Sequence, residues 1–386
     1  MPSIQTAIIV HSGGPTPVLN ASLAGIVAEC RRHAGIAVVY GARHGNTGLI
    51  ANDFVDLSAA DADSLAFAPG SAIGSSRRKI EPDEYERILE TLRRREVRHL
   101  FYTGGNGSME TARLLDRLAR DAGYELRVIG IPKTIDNDIV RTDHTPGYAS
   151  CARFFAHAVR DVGEDNRALP PPIEVVEVLG RNVGWVVAAT ALARHYEDDP
   201  PHLIYLPECG ISPDQLCADV ERVYRRVGRC LVAVCEGQRD ASGGWFGAAI
   251  DSAQNARNAL PSNMGSVFAR IITERTGLRA RAERPGLVGR SSAPLASAVD
   301  REESWRCGEA GVRAALEGRS GEMVAIERCE GTEYASRLKT VPLELVAGIE
   351  RKFPLEWIAP ARNDVTADFL EWLGPLVGEV KPHPRL

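Results

Sequence analysis

Three features of this chain predict an α/β protein built on parallel sheets. Short apolar runs alternate with helical patterns along the chain, the arrangement that parallel strands and their crossovers require. Twice, at His11–Asn20 (HSGGPTPVLN) and Thr103–Glu110 (TGGNGSME), such a run leads through a glycine-rich turn into a helical pattern. A polar cluster in Ile131–Ile139 (IPKTIDNDI) follows directly on the apolar run LRVIGI. It therefore sits where a strand ends, which is where open α/β sheets bind ligands.

The elements follow in order. A strand at Thr6–Val10 (TAIIV) leads into a helix at Asn20–Arg32 and a strand at Ile36–Tyr40 (IAVVY). A helix at Pro82–Arg95 precedes a strand at Leu100–Thr103 (LFYT), and a helix at Ser108–Arg120 precedes a strand at Leu126–Ile131. A helix at Ala149–Asp161, a strand at Glu174–Val178 (EVVEV), a helix at Gly184–Ala193 and a strand at Leu203–Leu206 (LIYL) come next. The series closes with a helix at Pro213–Val227, a strand at Leu231–Cys235 (LVAVC) and helices at Ser262–Thr276 and Pro294–Ala315. The proline run in Arg167–Pro172 (RALPPP) excludes a regular helix or inner strand and predicts a surface loop. Arg239–Trp245 (RDASGGW) reads as a turn.

Composition narrows the function classes. The 386 residues, 44% hydrophobic and 25% charged, suit one large or two medium globular domains. A net charge of −5 leaves no basic footprint for nucleic acid. No apolar run approaches the roughly 20 residues of a membrane helix. The start of the chain lacks the basic and apolar regions of a signal peptide, so a cytoplasmic protein is expected. The eight cysteines contain no C-x-x-C pair and read as reduced, buried thiols that bind no metal.

The Ile131–Ile139 segment carries the chemistry of phosphoryl transfer. One aspartate can take a proton from a hydroxyl, a second can help to hold Mg²⁺, and Lys133 can neutralise phosphate oxygens. Standing alone, Asp-Asn-Asp reads as a surface turn, since both residue types favour turns. Other segments add to it. The glycines of His11–Asn20 let backbone N–H groups approach phosphate oxygens, and a helix N-terminus adds positive potential. Gly74–Lys79 (GSSRRK) is basic, and Thr103–Glu110 repeats the strand, loop and helix pattern.

In this order the motifs resemble the phosphofructokinase family. PKTIDND resembles the family's signature, and TGGNGS its G-G-D-G-S loop with Asn106 in the aspartate's place. TDHTPGYAS (Thr142–Ser150) and EWIAPARNDV (Glu356–Val365) resemble a pyrophosphate-using branch with a G-G-N-D-S loop, so the likeness runs over nearly the whole chain. It implies two Rossmann-like parallel-sheet lobes. Residues 1–150 would bind the donor phosphates and 151–345 the acceptor, with a helical segment at 346–386 packing back on the first lobe. It also implies an enzyme, with Asp136 as the general base. Thr134 lies beside it, and Lys133, Arg77 and Arg181 stabilise charge. The implied donor site comprises Gly13, Gly14, Arg77, Lys79, Gly104, Gly105, Asn106, Gly107 and Ser108. Asp138 and Asn106 would hold Mg²⁺, with Asp138 supplying the charge because an asparagine carries none.

Two positions bear on the donor. In pyrophosphate users an aspartate after the G-G-D or G-G-N triplet fills the space of the nucleotide α-phosphate. Gly107 stands there, which opens the site to ATP. Lys133 is the pyrophosphate-type residue, a compact charge near the transferred phosphate. The open space weighs more, so ATP is the expected donor and pyrophosphate the alternative.

On the acceptor side, VEVLGRNVGW (Val176–Trp185) resembles V-E-x-M-G-R-x-x-G-W and places Leu179, Gly180 and Arg181 at the substrate, next to Thr134 and Asp136. CEG (Cys235–Gly237) resembles S-E-G, whose glutamate, here Glu236, accepts hydrogen bonds from sugar hydroxyls. RAERPGLVGR resembles R-x-x-x-L-G-x-x-Q-R, whose outer arginines, here Arg281 and Arg290, bind the acceptor's 6-phosphate. Leu287 stands where histidine or tyrosine is frequent, Gly289 where glutamine is usual, and Pro172 where many members carry an arginine that reaches a neighbouring subunit. The resemblance therefore implies a homodimer or homotetramer and fructose 6-phosphate as acceptor. Another sugar, sugar phosphate or inositol is an alternative, and a non-catalytic metabolite-binding homologue a second. A Rossmann dehydrogenase is excluded, because no G-x-G-x-x-G follows the first strand.

Overall fold

The computed structural model describes residues 5–169, 173–246 and 263–384. In chain order its elements are β1 (Gln5–His11), α1 (Leu19–Arg31), β2 (Ile36–Ala42), α2 (Asn46–Ala51), β3 (Phe54–Asp56), α3 (Ala62–Phe67), α4 (Pro82–Arg94), β4 (Val97–Gly104), α5 (Asn106–Asp121), β5 (Arg127–Pro132) and α6 (Tyr148–Ala168). There follow β6 (Ile173–Val178), α7 (Trp185–Ala189), β7 (Leu203–Tyr205), α8 (Pro213–Val227), β8 (Cys230–Cys235), α9 (Met264–Thr276), β9 (Ala280–Glu283), α10 (Ala298–Leu316), β10 (Glu322–Arg328), β11 (Ser336–Pro342) and α11 (Ala367–Val377). They form two compact units, residues 1–148 with 291–351 and residues 149–290 with 352–386.

The first unit holds a seven-stranded sheet in the order β11-β10-β5-β4-β1-β2-β3. Its five inner strands are parallel, and β3 and β11 run antiparallel at the edges. The central strands β1, β4 and β5 carry buried apolar runs at Ala7–Val10, Leu100–Tyr102 and Val128–Ile131 because both faces are covered. Ile8 and Val10 pack on one face with Ile88 and Leu92 of α4 and Met109 and Leu115 of α5. Ala7 and Ile9 pack on the other face with Leu23 and Ile26 of α1 and Cys307 and Val312 of α10. This division is the period-two alternation of a strand. Register then places the site: His11 pairs with Thr103, Thr103 with Ile131 and Gly104 with Pro132, so three loops leave the sheet at one level.

Helices α1 and α10 meet through glycine. A Cβ on Gly308 would stand 2.2 Å from the Ser22 carbonyl oxygen and 2.8 Å from the Ile26 nitrogen, both backbone atoms that cannot turn aside. Gly308→Ala is therefore expected to destabilise the fold by at least about 1–3 kcal/mol, the range for overpacking. A drop in the denaturation midpoint measures it.

The second unit has a parallel four-stranded sheet, β7-β8-β6-β9. Its core includes Val220 of α8 and Phe268 of α9 packed on Val175, Val232 and Tyr205. Val178 pairs with Cys235, so the loops beginning at Leu179 and Glu236 emerge side by side.

Two expected boundaries move. Residues 291–345 return to the first sheet, where β10 pairs with β5 through Glu322–Ile129 and Met323–Gly130. Residues from Lys352 onward belong with the second unit rather than the first. The cause is an aromatic cluster: buried Trp185 lies 5.0 Å from Phe353 and 5.4 Å from Trp372 between ring centroids, and Trp357 and Phe369 close it. Helix α6 runs seven residues beyond the expected Asp161, to Ala168, so Arg167 and Ala168 are helical. Pro172 lies outside the described residues.

Candidate active site

The first loop leaves β1 at His11 and turns through Gly13, whose φ of +83° is one that glycine adopts without strain. Its Gly13 N–H donates to the Ser76 carbonyl at 2.9 Å, and a Ser12–Ser76 bridge brings in the Gly74–Lys79 loop. Arg77 and Lys79 are exposed there. Lys133 enters this first loop from the end of β5. Its ammonium, buried at 2% exposure, donates to the Ser12 carbonyl at 2.9 Å and the Gly14 carbonyl at 2.7 Å. Buried His11 bonds Ser71 Oγ, and its pKa falls to about 3 through desolvation and then the Lys133 charge, so the ring is neutral.

Gly104 ends β4, and Gly105 is the N-cap of α5, whose first turn is Asn106, Gly107 and Ser108. The helix thus starts two residues earlier than expected and brings Asn106 and Gly107 into its N-terminal turn, where backbone N–H groups lack intrahelical partners. Gly107 is exposed, and a Cβ there would meet nothing within 4 Å.

The third loop turns sharply at Asn137, with φ of +53°, a left-handed conformation that asparagine tolerates better than most residues. The Asp136 N–H donates to Thr134 Oγ1 at 3.1 Å, leaving the Asp136 carboxylate partly exposed beside it. Past the turn, Asn106 Nδ2 donates to the Asp138 carbonyl at 3.1 Å. Asn106 Oδ1 and Asp138 Oδ1 are both buried and have no hydrogen-bond partner among the described residues. Burial pushes the Asp138 carboxyl above the usual carboxylate range, the Asn106 amide opposing it. Two unpartnered buried oxygens, one of them on a carboxylate destabilised by desolvation, are a donor set that fits a hard cation such as Mg²⁺.

In the second unit, Gly180 has φ of +138° and its carbonyl accepts from the Gly237 N–H at 3.2 Å. A Cβ on Gly237 would overlap the Arg181 carbonyl oxygen at 1.6 Å, so the loop carrying Arg181 and the Glu236 loop are in backbone contact. Leu179 is buried beneath them and Arg181 is exposed. Arg284, which the motif comparison passes over, reaches this cluster: its Nε is 2.9 Å from Glu177 and its Nη2 3.8 Å from Glu236. Only its place inside the arginine-rich segment signals it. Arg281, on β9, pairs with Glu174 at 3.2 Å and Asp165 at 3.4 Å, so a phosphate there would compete with two carboxylates. Arg290 ends the helical turn Gly286–Arg290. Gly289 has a steric cause: its Cβ would stand 2.4 Å from the Phe155 ring, which occupies the room a glutamine would need.

The family model for phosphofructokinase matches residues 6–315. The chain belongs to the phosphofructokinase family. Among curated relatives, the pyrophosphate–fructose 6-phosphate 1-phosphotransferase of Rhodospirillum rubrum is 39% identical, over 97% of this chain and 95% of that protein. The protein of that name from Xanthomonas campestris pv. campestris is 35% identical, over 96% and 91%. The crystal structure of a pyrophosphate-dependent phosphofructokinase from Nitrosospira multiformis superposes with a TM-score of 0.90 at 30% identity, over 100% of this chain and 94% of that one. The two-sheet architecture is thus that of phosphofructokinases, and the chain spans nearly the full length of these relatives.

Proposed function

We propose that the protein transfers a phosphoryl group from pyrophosphate to the 1-hydroxyl of fructose 6-phosphate, with Mg²⁺, as a cytoplasmic homodimer or homotetramer. The observation that carries this reading is the convergence of the first glycine loop, Lys133, the first turn of α5 and the Asp136–Asp138 turn at the C-terminal ends of the central strands β1, β4 and β5. Asp136 takes the hydroxyl proton. Asp138 and Asn106 would hold Mg²⁺, which when bound would neutralise charge on the donor phosphates. Exposed Arg77 and Arg181 supply positive charge to the transferring phosphoryl group, and Glu236 accepts from sugar hydroxyls. No helix among the described residues is long and apolar enough to cross a membrane.

Lys133 favours pyrophosphate over the ATP expected from sequence. Its ammonium is built into the donor loop as a fixed point charge, and the relatives named above carry pyrophosphate in their names. The open space at Gly107 favours a second reading, ATP. Steady-state rates with each donor against fructose 6-phosphate, sedoheptulose 7-phosphate and unphosphorylated sugars test both. Turnover with pyrophosphate alone supports the first reading, and turnover with ATP alone the second. No turnover with any pair supports a binding homologue.

Arg281 and Arg290 bind the acceptor phosphate, which at Arg281 competes with Glu174 and Asp165. A hydrogen bond to a charged group is worth about 1.5–3 kcal/mol, so Arg290→Ala is expected to raise the acceptor KM about tenfold or more. An unphosphorylated acceptor should be unaffected, and a phosphorylated acceptor that is equally indifferent removes Arg290 from the site.

A further inference from the structure

His144 lies in the Thr142–Gly147 loop, fully buried, and the mechanism above does not use it. Each ring nitrogen faces a carboxylate: Nδ1 is 2.9 Å from Asp143 Oδ2, and Nε2 is 2.6 Å from Glu303 Oε2 on α10. Both carboxylates have further donors that suit the ionised form. Arg328 of β10 pairs with Asp143 at 3.2 Å, and Tyr334 Oη donates to the other oxygen of Glu303 at 2.6 Å. An ionised carboxylate only accepts. Both ring nitrogens must therefore carry protons, and the buried ring is an imidazolium.

This ring is tied to the Asp136 loop by short steps. The adjacent Thr145 donates through Oγ1 to the Thr134 carbonyl at 2.8 Å, and the Thr134 N–H donates to the Pro146 carbonyl at 3.1 Å. Thr134 Oγ1 in turn accepts the Asp136 N–H. Arg351 forms a second strap. Its backbone N–H donates to the Asp138 carbonyl at 2.7 Å, and its guanidinium to the carbonyls of Thr142 at 3.0 Å and Asp143 at 2.6 Å. Asp300 of α10 accepts the Gly147 N–H at 2.8 Å. A neutral His144 would turn a lone pair toward a carboxylate on one side and release that anchor of the Thr142–Gly147 loop, and with it the Thr134–Asp138 loop.

We propose that His144, as an imidazolium clamped between Asp143 and Glu303, is a positioning residue for the Thr134–Asp138 loop, and that phosphoryl transfer requires it to be protonated. The proposal rests on Asp136 acting from that loop. The charged groups facing the ring from the packed elements are Asp143, Glu303, Arg328 and Arg351, with Tyr334, Asp300 and buried Cys307 of α10 beside them. Burial alone would lower the His144 pKa, but the two carboxylates outweigh it and raise the value to about 9. A raised pKa means that the clamp is complete below the unfolded value near 6.5 and is lost as pH rises through about 9.

The test compares wild type with His144→Gln, Glu303→Gln and Asp143→Asn, measuring kcat and both KM values from neutral pH to about pH 10. Hydrogen exchange of residues 133–147 is measured at neutral pH without substrates. Wild-type kcat should fall along a basic limb near 9, with KM values little changed. Removing either carboxylate should move that limb at least about one pH unit toward neutral. His144→Gln should lack the limb, and its kcat should be lower by about tenfold or more. All three variants should exchange faster in the loop. A wild-type limb in His144→Gln, or one unmoved in both carboxylate variants, overturns the proposal. So does unchanged exchange in His144→Gln, which decides the matter even if no donor and acceptor pair turns over. Should one carboxylate variant fail to fold, the other makes the same comparison.

Discussion

Asp136→Asn is expected to lower kcat by about 10²–10⁴-fold, the contribution of a positioned acid–base group, while the KM for the donor changes little. The substitution keeps the side chain's volume and removes its ability to take a proton. The loop should survive, because the Asp136 backbone N–H keeps its bond to Thr134 Oγ1 in the variant. The left-handed turn that follows belongs to Asn137 and is also untouched. Loss in kcat without loss of donor affinity separates proton transfer from metal or phosphate binding, in which Asp138 rather than Asp136 has the unpartnered oxygen. A mutant with near-normal kcat would mean that another group takes the proton, and partly exposed Asp136 would be only the first residue of a turn.

The site on the first sheet was legible in the sequence because every part of it is a loop at the end of a buried strand. Apolar runs fix the strands, the strands fix the level at which they end, and the glycines and aspartates that follow are brought together by register alone. The acceptor side was less legible. Arg281 and Arg290 keep the motif's spacing, but spacing does not reveal that Glu174 and Asp165 hold Arg281, or that the Phe155 ring fills the place of a glutamine at Gly289. Strands β9 and β11 went unseen for a physical reason. The ARAE of β9 has too few apolar residues to signal a strand, and β11 alternates weakly because it is an antiparallel edge with exposed Arg337 and Lys339. The division of the chain could not follow from local pattern. That residues 291–351 complete the first sheet, and that the tail joins Trp185, are consequences of long-range pairing and of an aromatic cluster assembled from Trp185 and residues 353–372.

Lys133→Met is expected to lower kcat/KM for the donor by about 10²–10³-fold, as removal of a fixed charge stabilising a transferring phosphoryl group does, whether the donor is pyrophosphate or ATP. Methionine keeps an unbranched side chain of similar length but brings neither charge nor donor. Two effects are joined at this position. The Ser12 and Gly14 carbonyls lose the ammonium that now draws them together, so the first loop loses its shape. The donor's phosphate oxygens lose a compact charge held in a desolvated place, where it acts more strongly than an exposed one. Arginine should not rescue the variant. A Cβ on Gly13 would already stand 3.2 Å from the Lys133 nitrogen, and a planar guanidinium is bulkier than the ammonium in that space. His11 reports on the same charge without any turnover. Its pKa is held down by burial and then by Lys133, so it should rise in Lys133→Met, though burial keeps it below the ordinary histidine value. A titration of the His11 ring by NMR, set beside the rates, tells the two effects apart. Full activity together with a shifted His11 would remove Lys133 from the transferred phosphate, and with it the structural ground for preferring pyrophosphate over the ATP that the open space at Gly107 favours.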